Sequence, residues 1–545
     1  MNGPHMPSPR VKPQLTFQTA TIILLALTLL VRLVTLRLPE ITDTSESRFA
    51  TAAQEMLLSG DWITPRIYRG EAGWEPYWAK PPLQIWLTGA SMALHGQNPF
   101  GARFPSFLGA LLTIFFTYRV AKAQFNTEVA QRSVVILSTM FGFFILSGLC
   151  LTDMLLTASI TATTAAILRA LDEEIIIRRR RAWYWAATSA GIGMLIKGPV
   201  SVVLPTVTLV LFLISRWVSG TAPWPILRSI PWIGATLVFL LTWCPWYLLA
   251  EARTPGFLNY FFLHENILRY FHSDLKVLYG IGHRVPFGTI WWHWLAMALP
   301  WTLLVPCFNL KRLHALTYSN PANLFIALWA LTAPLFFTFA RQVLATYVLP
   351  ALPAFALLLG VSLQHLSIRS IPFWISRSLY FTFLLGAAGA VGFCFLGDPS
   401  ATNGLLLAVV GMVAVLFPRF PTLEIRMAAV SLALIAAAAP WLASIATADR
   451  STGPLLEAMS TSGSDAPRIL GAVMNNPRSA VFYGRATSPL PVTVIGGLTP
   501  ERALELGIRD LIIQRDKYQA LPDSLRIRFR EIKSLGAWSW VRAQP

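Results

Sequence analysis

Leu15–Leu36, LTFQTATIILLALTLLVRLVTL, is followed closely by Ile41–Ile67, ITDTSESRFATAAQEMLLSGDWITPRI. The first stretch is apolar over the roughly 20 residues that a helix needs to cross a bilayer. The second carries Asp43, Glu46, Arg48, Glu55, Asp61 and Arg66. Two readings of this change are open: an ordinary wet connector, or the mouth of an active site at the membrane surface. The apolar stretch is long for a signal peptide and no A-x-A-like site follows it, so it is expected to be an uncleaved first transmembrane helix inserted by a Sec-type route.

Working outward, the same alternation recurs. The chain of 545 residues is 54% hydrophobic and 13% charged, with 20 tryptophans; soluble domains carry about 25% charged residues. Candidate spans fall at 15–37, 102–121, 134–151, 154–171, 183–197, 199–216, 230–250, 286–309, 322–340, 343–364, 377–396, 403–418 and 427–446. The expected fold is an all-α polytopic membrane protein of about 13 transmembrane helices over residues 1–446, followed by a small extracytoplasmic α/β domain over 447–545. That domain is read from short apolar runs (AVFYG, VTVIGG, DLIIQ) alternating with helix-like segments such as TPERALELG.

The net charge of +18 does not indicate nucleic acid, because the basic residues sit in short loops between apolar runs, where they set orientation and meet anionic head groups. Arg178–Arg181, Arg119 and Lys122, Arg216 and Arg228, Lys311 and Arg312, Arg369 and Arg377, and Arg419 and Arg426 all fall on the side of Arg10 and Lys12, the cytoplasmic side by the positive-inside rule. Loops 39–101 and 251–285, Asp153, Arg341 and the tail are then outside. The site and the tail are therefore expected on one and the same non-cytoplasmic face. Loop 39–101 is too long for a connector and carries Trp62, Trp74, Trp78 and Trp86, which predicts short helices along the interface. Cys150, Cys244, Cys307 and Cys394 form no CxxC pair and are read as small packing residues.

No P-loop, G-x-G-x-x-G or H-E-x-x-H in its proper context is present, which leaves ATP-driven transport and zinc hydrolysis without support. Asp153, in LSGLCLTDMLLTASI, is either a helix N-cap or a working carboxylate near the membrane surface. Lys80, in YWAKPPL, either snorkels or captures a phosphate. In LNYFFLHENILRYF, Glu265 and Arg269 stand at i, i+4 and could simply pair; His264 alone makes no metal site. Arg341 is an interfacial anchor or an outer cation. Acids and cations on one face suit a reaction on a lipid-linked phosphate: cations hold the leaving group and an acid accepts a proton from the nucleophile.

These motifs carry a resemblance. DTSESRFATAAQEMLLSGDWITPR, AKPPLQIWL, LTDMLLTA, LIKGPV, YFFLHENILRYF and RQVLATYVLPALPAFALLLG, in that order, resemble polyprenyl-phosphate-sugar glycosyltransferases of the GT-C type, most of all the ArnT-like branch (lipid A aminoarabinose transferases) related to protein O-mannosyltransferases. Two positions depart from that pattern: Ala79 replaces an acid and Asn266 stands where a histidine is usual. The resemblance implies a polyprenyl (undecaprenyl) phosphate sugar donor, and a lipid A, glycan or protein acceptor at the outer face, with inversion at the anomeric carbon. It implies Asp43 as first choice for general base, with Asp153 second, orienting the acceptor or the base, Glu46 as a further catalytic candidate, and Lys80, Arg269, Tyr347 and Arg341 around the donor phosphate, in a bacterial inner membrane with the site and the tail facing the periplasm. Arg48, His264 and Glu265 are additional site candidates. Outer acids could hold Mg²⁺ or Mn²⁺, although Lys and Arg can neutralise a single phosphate alone. The rival reading is a lipid-linked-sugar flippase or other transporter, which would place ionisable groups near the midplane; a third is a non-catalytic scaffold.

Overall fold

The computed structural model describes residues 15–43, 45–271, 285–307, 310–365, 401–460, 469–474, 477–486 and 492–544. The expected span 377–396 and the orienting residues Arg10, Lys12, Arg369 and Arg377 lie outside these. The first half runs as α1 (Phe17–Thr35), α2 (Ser45–Ser59), the strands β1 (Arg66–Tyr68) and β2 (Trp74–Pro76), α3 (Leu83–His95), α4 (Pro99–Gln124), α5 (Thr127–Ser138), α6 (Phe141–Leu146), α7 (Thr152–Asp172), α8 (Ile176–Ile196) and α9 (Val200–Val218). Further long helices cover Trp232–Arg253, Pro321–Thr338, Leu352–His365, Ala401–Leu416 and Leu423–Arg450.

Among the described residues, eight helices are long and apolar enough to cross a membrane, fewer than the roughly 13 expected from composition. One expected span, 377–396, lies outside the described residues, and the other four are absent for local reasons. The run 134–151 is split between α5 and α6 by extended backbone at Met140. The run 286–309 breaks into the helix Thr289–Met297 and a 3₁₀ segment, Trp301–Cys307. The four arginines of 178–181 fall inside α8 rather than before it, and the helix at 401–416 is shorter than a full span. The chain is a multi-span membrane protein all the same.

Many hydroxyls inside the helices are satisfied by the backbone of their own helix, as an apolar surround favours. Thr28 Oγ1 donates to the Leu24 carbonyl at 2.7 Å, and Thr117 and Thr164 donate to Thr113 and Ile160 at the same distance. Cys150 is buried with a free thiol.

Loop 39–101 folds into two helices, α2 and α3, and, where only short helices are expected, a two-stranded ribbon β1–β2 between them. The C-terminal part is a five-stranded sheet of β3 (Ile469–Ala472), β4 (Thr493–Gly496), β5 (Asp510–Gln514), β6 (Phe529–Leu535) and β7 (Trp538–Ala543). The order is β4-β3-β5-β7-β6, parallel across β4-β3-β5 and antiparallel across β5-β7-β6. This sheet is bolted to the first loop. Tyr68 donates its hydroxyl hydrogen to the Val494 carbonyl (2.9 Å), Arg485 Nη1 meets Glu55 Oε2 at 2.6 Å, and Tyr483 donates to the Glu40 carboxylate. A Cβ on Gly70 would sit 2.9 Å from the Gly496 carbonyl oxygen, so glycine is needed where loop and sheet touch.

Candidate active site

A cavity of about 400 Å³ opens where α7 begins and α8 ends. Its polar lining is Lys80, Asp153, Lys197, Glu265, Asn266, Arg269, Tyr270, Gln342, Thr346 and Tyr347; Leu156, Val203, Leu204, Phe262, Phe336 and Phe337 supply apolar wall.

Local sequence explains how these groups meet. Asp153 is the second residue of α7, at the positive end of the helix dipole, where a carboxylate is favoured. Lys197 terminates α8. Gly198 follows with φ 95° and Pro199 after it, a conformation open to glycine that stops the helix. A Cβ on Gly198 would stand 2.5 Å from the Phe261 ring, and Phe261 is fully buried. The Lys-Gly-Pro turn therefore packs against the 251–285 segment and aims Lys197 at Asp153, with Nζ–Oδ1 2.7 Å. The same ammonium lies 4.9 Å from the Tyr347 ring centroid, within cation–π range.

The other acid is Glu265. It rides on a π-helical segment, Tyr260–Leu268, a backbone form that often marks functional sites. Lys80 Nζ donates to its Oε1 at 2.6 Å and Arg269 Nη1 donates to the same oxygen at 2.7 Å. Arg269 Nε also donates to Gln342 Oε1 at 3.0 Å. Burial pushes the Glu265 carboxyl up, but Lys80, then Arg269, with Arg48 adding to the same field, outweigh it and hold the group below the usual carboxylate range. The cavity therefore contains two cations sharing one carboxylate beside a second, separate ammonium–carboxylate pair.

Of the residues expected from sequence, Asp153, Lys80, Arg269, Glu265 and Tyr347 line this cavity, and Asp43, Glu46, Arg48, His264 and Arg341 are not among its described lining. Asp43 accepts from Ser47 Oγ (2.7 Å) and from the Ser479 backbone N–H (3.1 Å) and hydroxyl; it joins the C-terminal domain to the loop. Burial pushes its carboxyl up, with the hydrogen bonds of Ser479 and Ser47 and the charge of Arg478 only partly opposing this. Glu46 is 5% exposed and forms a two-pronged pair with Arg103: Nε–Oε1 2.7 Å and Nη2–Oε2 2.8 Å. Arg103 also donates to the carbonyls of Leu36, Pro39 and Glu40, so Glu46 is spent on fixing the exit from α1. His264 stacks on Tyr260, with ring centroids 5.8 Å apart. The Arg341 side chain is exposed, and its backbone N–H donates to the Tyr270 carbonyl (3.0 Å).

Lys197 was absent from the sequence-based site, although LIKGPV carried the signal: a lone lysine closing an apolar run, followed by a helix-stopping Gly-Pro. No group of three or more His, Cys, Asp and Glu side chains arranged to hold a metal occurs among the described residues.

Residues 79–248 match the family described as dolichyl-phosphate-mannose-protein mannosyltransferase. An undecaprenyl phosphate-alpha-4-amino-4-deoxy-L-arabinose arabinosyl transferase of Pseudomonas paraeruginosa is 29% identical over 327 residues, covering 58% of this chain and 55% of the relative. A Pseudomonas fluorescens protein of the same description is also 29% identical over 327 residues. The chain thus spans about half the length of the relatives it matches. The crystal structure of ArnT from Cupriavidus metallidurans bound to undecaprenyl phosphate superposes with a TM-score of 0.74 at 20% identity, covering 97% of this chain and 99% of that one. The apo form gives 0.71. Residues 79–248 thus match the model of the dolichyl-phosphate-mannose-protein mannosyltransferase family, and the chain as a whole shares the fold of the ArnT structure.

Proposed function

We propose that this protein is a glycosyltransferase that moves a sugar from a polyprenyl (undecaprenyl) phosphate donor to a lipid A, glycan or protein acceptor at the outer face of the inner membrane. Residues 1–446 form the catalytic membrane domain, and the domain at 447–545 covers the periplasmic side of the first loop. The observation that supports this most is the meeting of Lys80, Arg269, Lys197, Asp153 and Tyr347 in one cavity that also has an apolar wall of Leu156, Val203, Leu204, Phe262, Phe336 and Phe337. Such a cavity suits a phosphate on a greasy tail: cations for the anion, phenylalanines for the first part of the lipid.

In this mechanism Lys80 and Arg269 hold the donor phosphate and stabilise the charge it gains as the bond to the sugar breaks. Glu265 keeps both cations positioned before the donor arrives. Asp153 accepts the proton of the acceptor nucleophile, and Lys197 holds that carboxylate in place. Bond formation from one face of the anomeric carbon with departure of the phosphate from the other gives inversion. Asp43 takes no part in this scheme, because it is committed to Ser479.

Lys80→Ala tests the phosphate site. It is expected to weaken binding of polyprenyl phosphate by the worth of a charge-assisted hydrogen bond, about 1.5–3 kcal/mol, or roughly 10- to 150-fold, as read by titrating the lipid against the purified protein in detergent. Unchanged affinity would remove Lys80 from the site.

Asp43→Asn is expected to leave sugar transfer within a few-fold of the unaltered protein. The raised folded-state affinity of Asp43 for its proton means that its contribution to docking is fully present below the unfolded carboxylate value, about 3.9, and is lost as pH rises through the folded value. Protection factors at 478–486, corrected for the intrinsic base-catalysed exchange rate, should fall with rising pH in the unaltered protein and be independent of pH in the Asn variant. A hundredfold fall in transfer with unchanged exchange would return Asp43 to the chemistry.

A further inference from the structure

A second cavity, about 920 Å³, runs between α3, α4, α7 and α8. Its lining extends from Leu155 in the first turn of α7 to Glu173, the residue that follows that helix, about 27 Å at 1.5 Å per residue, close to the roughly 30 Å of a hydrocarbon core. Ala158, Ala162, Ala165 and Ala166 form its wall on that helix. Small residues usually let transmembrane helices close on one another; here they leave an open trough. The end far from the reaction cavity is lined by Arg119, Arg169, Arg178 and Arg181, against one carboxylate, Glu173. Glu173 is already paired with Arg169. The mouth is thus an excess of guanidinium charge joined to an apolar trough of nearly membrane depth.

We propose that this trough binds an anionic phospholipid from the leaflet opposite the reaction cavity, its phosphate held by Arg119, Arg178 and Arg181 and an acyl chain lying on the alanine wall of α7. Basic residues beside head groups are general to membrane proteins. What distinguishes this site is the trough that the same arginines cap, which requires head group and tail together.

Native mass spectrometry of the full chain in detergent, titrated with dioleoylphosphatidylglycerol or dioleoylphosphatidylcholine, tests it. The unaltered protein should retain one phosphatidylglycerol with a preference on the order of tenfold over phosphatidylcholine, and inorganic phosphate should not displace it. The triple change Arg119→Gln, Arg178→Gln, Arg181→Gln should abolish the preference. Ala162→Phe, which fills the trough and leaves the arginines intact, should remove the bound lipid. Lys122→Gln, a nearby basic residue outside the lining, should change neither. Equal lipid retention in the Ala162→Phe protein would overturn the site, as would displacement by free phosphate. If the triple variant fails to fold, the Ala162→Phe and Lys122→Gln comparison decides alone.

Discussion

Asp153→Asn should lower sugar transfer by about 10²–10⁴-fold, the usual worth of a positioned proton acceptor, with little change in the amount of folded protein. The residue is 8% exposed and has Lys197 2.7 Å away, so the amide keeps the shape and removes the base. Donor binding should persist, because Lys80 and Arg269 take their carboxylate from Glu265 rather than from Asp153. The fall should therefore appear in kcat, with the donor KM moving little. A variant that loses donor affinity and turnover in equal measure would instead make Asp153 a structural brace for Lys197.

Glu46→Ala should be the most damaging single change to stability. It leaves Arg103, with no exposed surface, as a buried guanidinium without its carboxylate, and breaking one side of a buried pair costs about 3–5 kcal/mol. The Cys150 N–H also loses its acceptor, Glu46 Oε1 at 3.1 Å, which couples the first loop to the start of α7. Burial pushes the Glu46 carboxyl up; Arg103 and the N–H donors outweigh it and hold the group low. Its stabilisation is accordingly present above the unfolded carboxylate value and lost as pH falls through the lowered one. Thermal unfolding in detergent measures this. Removing both charges together, Glu46→Leu with Arg103→Met, should recover much of the loss. A single variant within about 1 kcal/mol of the unaltered protein would mean the pair is solvated rather than buried.

The membrane architecture was legible because apolar runs of bilayer length leave few alternatives. Lys80, Asp153, Glu265, Arg269 and Tyr347 were legible because each stands where an apolar run meets polar sequence on the face assigned as outer. Choosing among the acids was harder. Asp43 and Asp153 look alike in sequence, but the direction of Asp43 is set by Ser479, 436 residues further on. Glu46 is claimed by Arg103, 57 residues away inside the next long span. Lys197 escaped because its partner lies across a helical hairpin, 44 residues back. The breaks at Met140 and after Met297 were invisible for a related reason: apolar composition persists through both, and only the backbone changes.

The most direct test asks whether the cavity cleaves its donor. Purified protein incubated with a polyprenyl-phosphate sugar and an outer-surface acceptor should release free polyprenyl phosphate and glycosylated acceptor in equal amounts, and the Asp153→Asn protein should release about a hundredfold less or lower. Movement of intact donor across a vesicle membrane without any release of polyprenyl phosphate would contradict sugar transfer and make the protein a transporter.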